Sequence, residues 1–336
     1  SSISFSPSNS FFQLLNFLTL LIVVLILKMI LYTERHKYRF YLFLSLSGFI
    51  VSIIAVLFYL NGNPDFFIFK NSYYKNSSSG FFINRTVLSI FLLFCLISSL
   101  EILKNVESFK KEKNNIFFVK TYIRLFIIFI TIGIITSFSR IGNFLLLITI
   151  LAYFLDEIFF SSKKRGSFRN ILFVIIFFDL IFLGYYFGST ELIDRFYLLN
   201  EEFVISNDTG EKLSRIKIIQ FGLSQIKKFL FFGYGPGSFE TIFQIKYLNN
   251  SSNFANHAHS DITEFSGELG LLGISILICS FFKFFLDKNI HSSLNYLLTI
   301  YLITILLFDF SLHIPLIQIL FISFFLLNKK TYGSSR

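Results

Sequence analysis

The sequence predicts an all-α, polytopic bundle of membrane-spanning helices, on three observations. Hydrophobic residues make up 54% of the 336 and charged ones only 15%, a balance outside the range of ordinary soluble domains. Apolar runs long enough to cross roughly 30 Å of hydrocarbon recur along the chain. Two pairs of these runs are joined only by short polar turns, SFSRIG and SLHIP, which imply antiparallel neighbouring helices. The 50 Phe beside a complete lack of Trp reads as compositional bias, so no aromatic cofactor box is assigned.

In chain order the runs lie near residues 11–32, 40–60, 83–103, 121–138, 141–160, 170–189, 266–286, 294–312 and 314–328, about nine spans in all. They divide the chain into N-terminal spans with short loops (1–189), a long loop (190–265) and C-terminal spans (266–336). The opening SSISFSPSNS lacks both Met and the basic start of a signal peptide, so the chain reads as cut down from a longer one. Cys95 and Cys279 fall far apart inside apolar runs, a pattern that indicates neither a disulfide framework nor a metal cluster.

Lys and Arg resist translocation, so their distribution orients the chain. One set of loops carries Arg35, Lys37 and Arg39, a group from Lys104 to Lys120, another from Lys163 to Arg169, then Lys288 and the basic C-terminus. The opposite short segments carry only Lys70, Lys75, Arg85 and Arg140. The richer set is expected on the cytoplasmic side, which puts residues 190–265 on the outer face.

That outer loop has internal organisation. Asp208, followed three residues later by Glu211, can form a capping box. Ile216, Ile219, Leu223, Ile226 and Leu230 then share a helical face, flanked by Arg215, Lys217, Lys227 and Lys228. The pattern predicts a basic amphipathic helix lying on the outer membrane surface, either as an anchor or as a holder of anionic head groups. FFGYGPGSF follows, and Gly233, Gly235 and Gly237 around Pro236 demand a tight turn, whether a plain helix-to-loop joint or a place of close backbone approach.

Two further features bear charge at the outer edge. Arg140 stands in a joint too short to be a free loop, so it faces a protein interior, a wet cavity or the head-group layer. It can snorkel to phosphate, or its planar fork can hold a diphosphate. In HAHSDITEFSGELGLLG, residues 257–273, two histidines precede Asp261, Glu264 and Glu268. His259 can accept a proton near neutral pH with a carboxylate orienting its ring. Ser260 and Asp261 also suit the N-terminal cap of the following helix. His257 and His259 sit two apart with no third ligand evident, so no metal site is expected.

These strings resemble the O-antigen ligase and polymerase family of bacterial envelope glycosyltransferases. His259 and Ser260, nine residues, then Gly270 and Gly273 match its histidine motif in full. TSFSRIGNF, FFGYGPGSF and, around Asn84, SSSGFFINRTVLS are similar to its other segments, in the family's order. The chain departs from the family in reading Ser-Arg-Ile-Gly for the common Ser-Arg-Gly, Asn-Arg-Thr where a second Asn is usual, and fewer spans than the usual count of about twelve.

The resemblance implies a transferase of the bacterial inner membrane, working on its periplasmic face. Its donor would be a glycan on undecaprenyl diphosphate and its acceptor a sugar hydroxyl, with no nucleotide sugar, cofactor or obligatory metal. It makes His259 the catalytic base and Arg140 and Arg215 the diphosphate ligands. Ser260, Gly235, Gly237 and Asn84 are the further substrate-binding positions. A ligase, passing finished polymer to an acceptor such as lipid A-core, and a repeat-unit polymerase share this donor site; HAHS and GPGSF lie nearer the ligase branch. A lipid or polysaccharide transporter would instead carry ionisable groups at mid-membrane, where Asp179 stands with no evident repeat.

Overall fold

The computed structural model describes residues 4–31, 33–64, 77–109, 113–160, 173, 215–247, 255–286 and 292–327. The run at 170–189 (apart from Phe173), Asp179 and the capping-box pair Asp208 and Glu211 lie outside these residues. Every described regular element is helical. Six helices are long and apolar enough to cross a membrane, and two shorter apolar helices accompany them. The chain is thus a polytopic helical membrane protein. It divides into two compact units, residues 29–195 and residues 1–28 with 196–336.

The unit of residues 29–195 contains α2 (Glu34–Leu60), α3 (Arg85–Phe109), α4 (Lys113–Thr136) and α5 (Arg140–Leu155). Nearly every residue of α3 from Val87 to Leu103 is buried, because α2, α4 and α5 pack around it. Lipid is as apolar as these side chains, so close van der Waals contact and interhelical hydrogen bonds hold such helices together. Small residues permit the approach: Ser45 Oγ lies 2.6 Å from Ser99 Oγ. At one end, half-buried Glu101 accepts from Tyr153 Oη at 2.8 Å and Asn105 Nδ2 at 3.1 Å, and Lys104 pairs with Asp156 at 2.5 Å. These ionisable groups near the helix ends are therefore bonded within the unit, as charged groups in an apolar setting must be.

The second unit contains α1 (Pro7–Ile30) up to Lys28, α6 (Arg215–Lys228), α7 (Phe239–Lys246), α8 (Asp261–Leu286), α9 (Ser293–Phe308) and α10 (Pro315–Leu327). A 3-10 turn, Ser311–His313, joins α9 to α10. α6 packs on α8 with Gly222 opposite Thr263; on the same side Gln225 is buried, and Ile218 and Phe221 pack with Phe239 and Phe243 of α7. The apolar face read from sequence points elsewhere, and Leu223 and Leu230 on it are exposed. α6 therefore has two apolar sides, one buried in protein and one left for the membrane surface.

The glycine-rich turn after α6 docks on a break in α8. Gly233, Gly235 and Gly237 all have positive φ, as does Gly270 inside α8, a region side chains rarely occupy. Backbone bonds tie the two segments together: Tyr234 N to Gly267 O at 2.9 Å, Gly235 N to Glu268 O at 3.1 Å and Leu271 N to Leu230 O at 2.8 Å. The turn and the Gly-x-x-Gly motif are thus two halves of one close backbone contact.

Candidate functional site

The site lies where α8 begins, and a small aromatic core supports it. Ile218, Tyr234, Phe239, Ile242 and Phe243 bury Ala255 and Ala258 of the preceding loop. With Ala258 turned into this core, the flanking His257 and His259 are held at fixed places. Both meet Phe310: the His257 ring stacks on it at 4.7 Å and 11°, and His259 meets it at 5.4 Å and 76°. His259 has φ 56°, an uncommon conformation for a residue with a side chain.

Asp261, Glu264 and Glu268 recur at helical spacing, so α8 presents them on one side. All three are buried, and buried carboxylates require partners. Asp261 receives Leu312 N at 3.0 Å on Oδ2 and contacts His313 Nδ1 at 2.5 Å through Oδ1. Glu264 receives Ala258 N at 2.8 Å on Oε2, while Oε1 lies 3.0 Å from His257 Nδ1 and 3.3 Å from His313 Nε2. Glu268 Oε1 accepts Phe239 N at 3.3 Å, at the N-terminus of α7. Ser238 makes no side-chain cap there, so Glu268 supplies the acceptor.

His313 is the centre of this network, although sequence reasoning missed it. Burial alone would lower its pKa, but the bond to Asp261 and the charges of Glu264, Asp261 and Glu268 outweigh burial and push it up to about 9. Its ring stacks on Phe265 at 4.5 Å. The only sequence signal was a histidine inside the polar joint SLHIP, 52 residues from Asp261.

A cavity of about 250 Å³ opens beside the network, with His257, Glu264, His313, Asn256 and Glu240 among its walls. α1 contributes Asn9, Phe12 and Gln13. It is held there by Phe5 N to Tyr234 O at 3.1 Å and Ser10 Oγ to Pro236 O at 2.8 Å. Amides, carboxylates and an aromatic ring together suit a polyhydroxylated ligand.

Ser260 accepts Thr263 N and Glu264 N on its carbonyl, both at 3.1 Å, and its hydroxyl accepts from Thr263 Oγ1 at 3.2 Å. It is buried as the N-terminal residue before α8. Gly235 and Gly237 face the chain's N-terminal segment: a β-carbon would lie 2.3 Å from Ser4 Oγ on the first and 2.9 Å from Gln13 Cγ on the second. Gly237 also lines the cavity. Arg215 is the first residue of α6, and its side chain lies outside the described set.

In the other unit, Arg140 opens α5 and is half-buried. Ser139 caps the helix by accepting Gly142 N at 3.2 Å and donates to Thr86 Oγ1 at 3.3 Å. Asn84 Oδ1 accepts Thr86 N at 2.8 Å, which makes Asn84 the cap of α3. The starts of α3 and α5 are therefore tied together. A cation on a helix N-terminus adds its charge to the positive end of the dipole, so the start of α5 favours an anion.

The apolar helices and the polar cluster at the start of α8 define a multi-pass helical membrane protein with a buried ionisable site. Residues 125–278 match the family model described as O-antigen ligase, and this match supports the family that the motifs resemble. The matched segment includes Arg140, Arg215, His257, His259 and Glu264. No curated protein matches the chain.

Proposed function

We propose that the protein transfers a glycan from undecaprenyl diphosphate to an acceptor sugar hydroxyl on the periplasmic face of the bacterial inner membrane, as a ligase. The observation that carries this reading is the family match over residues 125–278, a segment that contains Arg140, Arg215 and the His-Ser to Gly-x-x-Gly string. His259 takes the proton from the acceptor hydroxyl as its oxygen attacks the anomeric carbon and the bond to the lipid diphosphate breaks. Arg140 and Arg215 hold the diphosphate and neutralise the charge that develops on it as it leaves. The step calls for no metal, and direct displacement inverts the anomeric carbon. Asn84, Ser260, Gly235 and Gly237 are the further substrate-binding positions, and the cavity beside His257 is available to sugar hydroxyls.

The test compares lipid-linked and surface glycans from cells carrying the wild type or His259→Ala at equal membrane abundance. Loss of transfer with accumulation of long lipid-linked polymer supports the ligase. Acceptors bearing single repeat units indicate a polymerase instead. An unchanged glycan profile removes His259 from the reaction.

A further inference from the structure

His257, Glu264 and His313 each offer one ligand atom, and these atoms lie within 4.8 Å of one another. Two imidazoles and a carboxylate form a donor set suited to first-row divalent ions, zinc and cobalt above all. Two ligands bound tetrahedrally at about 2.0–2.1 Å stand roughly 3.3 Å apart. Glu264 Oε1 already lies 3.0 Å from His257 Nδ1 and 3.3 Å from His313 Nε2.

The surroundings orient these atoms as metal sites require. A ligating histidine typically donates its other ring nitrogen to a carboxylate, and Asp261 Oδ1 lies 2.5 Å from His313 Nδ1. Ala258 N holds Glu264 Oε2 at 2.8 Å, which leaves Oε1 toward both rings. Phe265 and Phe310 stack on the rings of His313 and His257 and limit their rotation.

One independent observation points to a missing ligand. His313 Nε2 is buried with no hydrogen-bond partner, on a side chain only 10% exposed. Its 3.3 Å approach to Glu264 is an ion-pair distance without hydrogen-bond geometry. Such an atom is costly to leave unsatisfied. The adjoining cavity has room for waters to complete a coordination shell.

We propose that His257, Glu264 and His313 form a binding site for a divalent transition-metal cation of the zinc or cobalt class. The ion pins the loop before α8 and the α9–α10 joint to the first turn of α8, and its open positions face the cavity. The inference does not depend on the transfer reading, because the site is defined by binding alone.

The experiment titrates Co²⁺ into the tag-free full chain, purified in detergent and stripped with a chelator, and follows the visible absorption of the bound ion. Zinc content by mass spectrometry and thermal melting with and without Zn²⁺ are read alongside. The expected result is one equivalent of Co²⁺, displaced by Zn²⁺, with melting shifted upward by Zn²⁺. His257→Ala and Glu264→Gln each lower affinity at least about 100-fold, and Asp261→Asn lowers it about 10- to 100-fold. His259→Ala retains binding. His257 is the most exposed of the three ligands, so its variant is the one to rely on should a buried variant fail to fold. Absence of stoichiometric Co²⁺ in the wild type, or undiminished binding in folded His257→Ala, overturns the proposal.

Discussion

Gly233 and Gly270 meet backbone against backbone: a β-carbon on Gly270 would stand 2.4 Å from Gly233 N, and one on Gly233 would stand 2.2 Å from Glu268 O. Both residues have positive φ, 72° and 63° respectively, so each position excludes a side chain twice over. Gly62 shares the conformation, with φ 73°, yet has open space around its β-position. Gly62→Ala should therefore cost only the conformational strain, about 1–2 kcal/mol. Gly233→Ala and Gly270→Ala should cost clearly more, because backbone cannot step aside as a flexible side chain can. Thermal melting of the purified variants measures the gap; equal losses at Gly62 and Gly233 would show that the contact does not matter.

Asp261 binds two groups of the α9–α10 joint, the Leu312 amide and the His313 ring. Asp261→Ala leaves both unsatisfied in a buried place and should cost about 3–5 kcal/mol, the usual loss on breaking a buried ion pair. Asp261→Asn can still accept from Leu312 N and should cost less, about 1–3 kcal/mol. Denaturation in detergent separates the two, and an Asn variant as unstable as the Ala variant would mean that charge, not the amide bond, dominates.

The spans were legible because crossing hydrocarbon demands a run of apolar residues that little else produces, and eight of the runs coincide with described helices. Asp261, Glu264 and Glu268 were legible as carboxylates gathered beside two histidines, but the pairing of Asp261 and Glu264 with His257 and His313 was not. His313 itself was not legible. Its partnership with Asp261 spans 52 residues, and a lone histidine in a turn has no periodicity to betray it. The same limit hid the tie between Asn84's helix and Ser139's, which tertiary packing creates. The protein-facing side of α6 was not legible for another reason: Phe221, Gly222 and Gln225 form a mixed face that looks less apolar than the isoleucine stripe beside it.

Arg140 separates anion binding from helix capping. Ser139 supplies the cap of α5, so Ser139→Ala should cost about 1 kcal/mol of stability. Arg140→Ala removes a cation from the positive end of a helix dipole, a change that in itself favours the helix. Under the transfer reading it should nonetheless lower turnover of a lipid-diphosphate donor by about 100-fold or more, with Arg140→Lys intermediate because a point charge lacks the planar fork. Melting and transfer assays on the same membranes check both halves. Full activity in Arg140→Ala would remove the guanidinium from donor binding.

His259 carries the uncommon backbone conformation and the proposed proton transfer in one residue, and the two roles call for different substitutions. Asn tolerates a positive φ far better than most residues and Gly adopts it freely. His259→Asn and His259→Gly relieve the backbone strain while giving up the ring contact with Phe310, so both should stay folded with melting temperatures near that of the wild type. Val, branched at its β-carbon, should lower the melting temperature. If His259 is the base, Asn and Gly should both lose about 10²- to 10⁴-fold in transfer while remaining folded. A structural residue would behave in the opposite way, with transfer preserved in Asn and Gly and lost only in Val alongside its stability. Transfer rate and melting measured across these three variants therefore assign the role of His259, with Gly and Asn as the decisive pair.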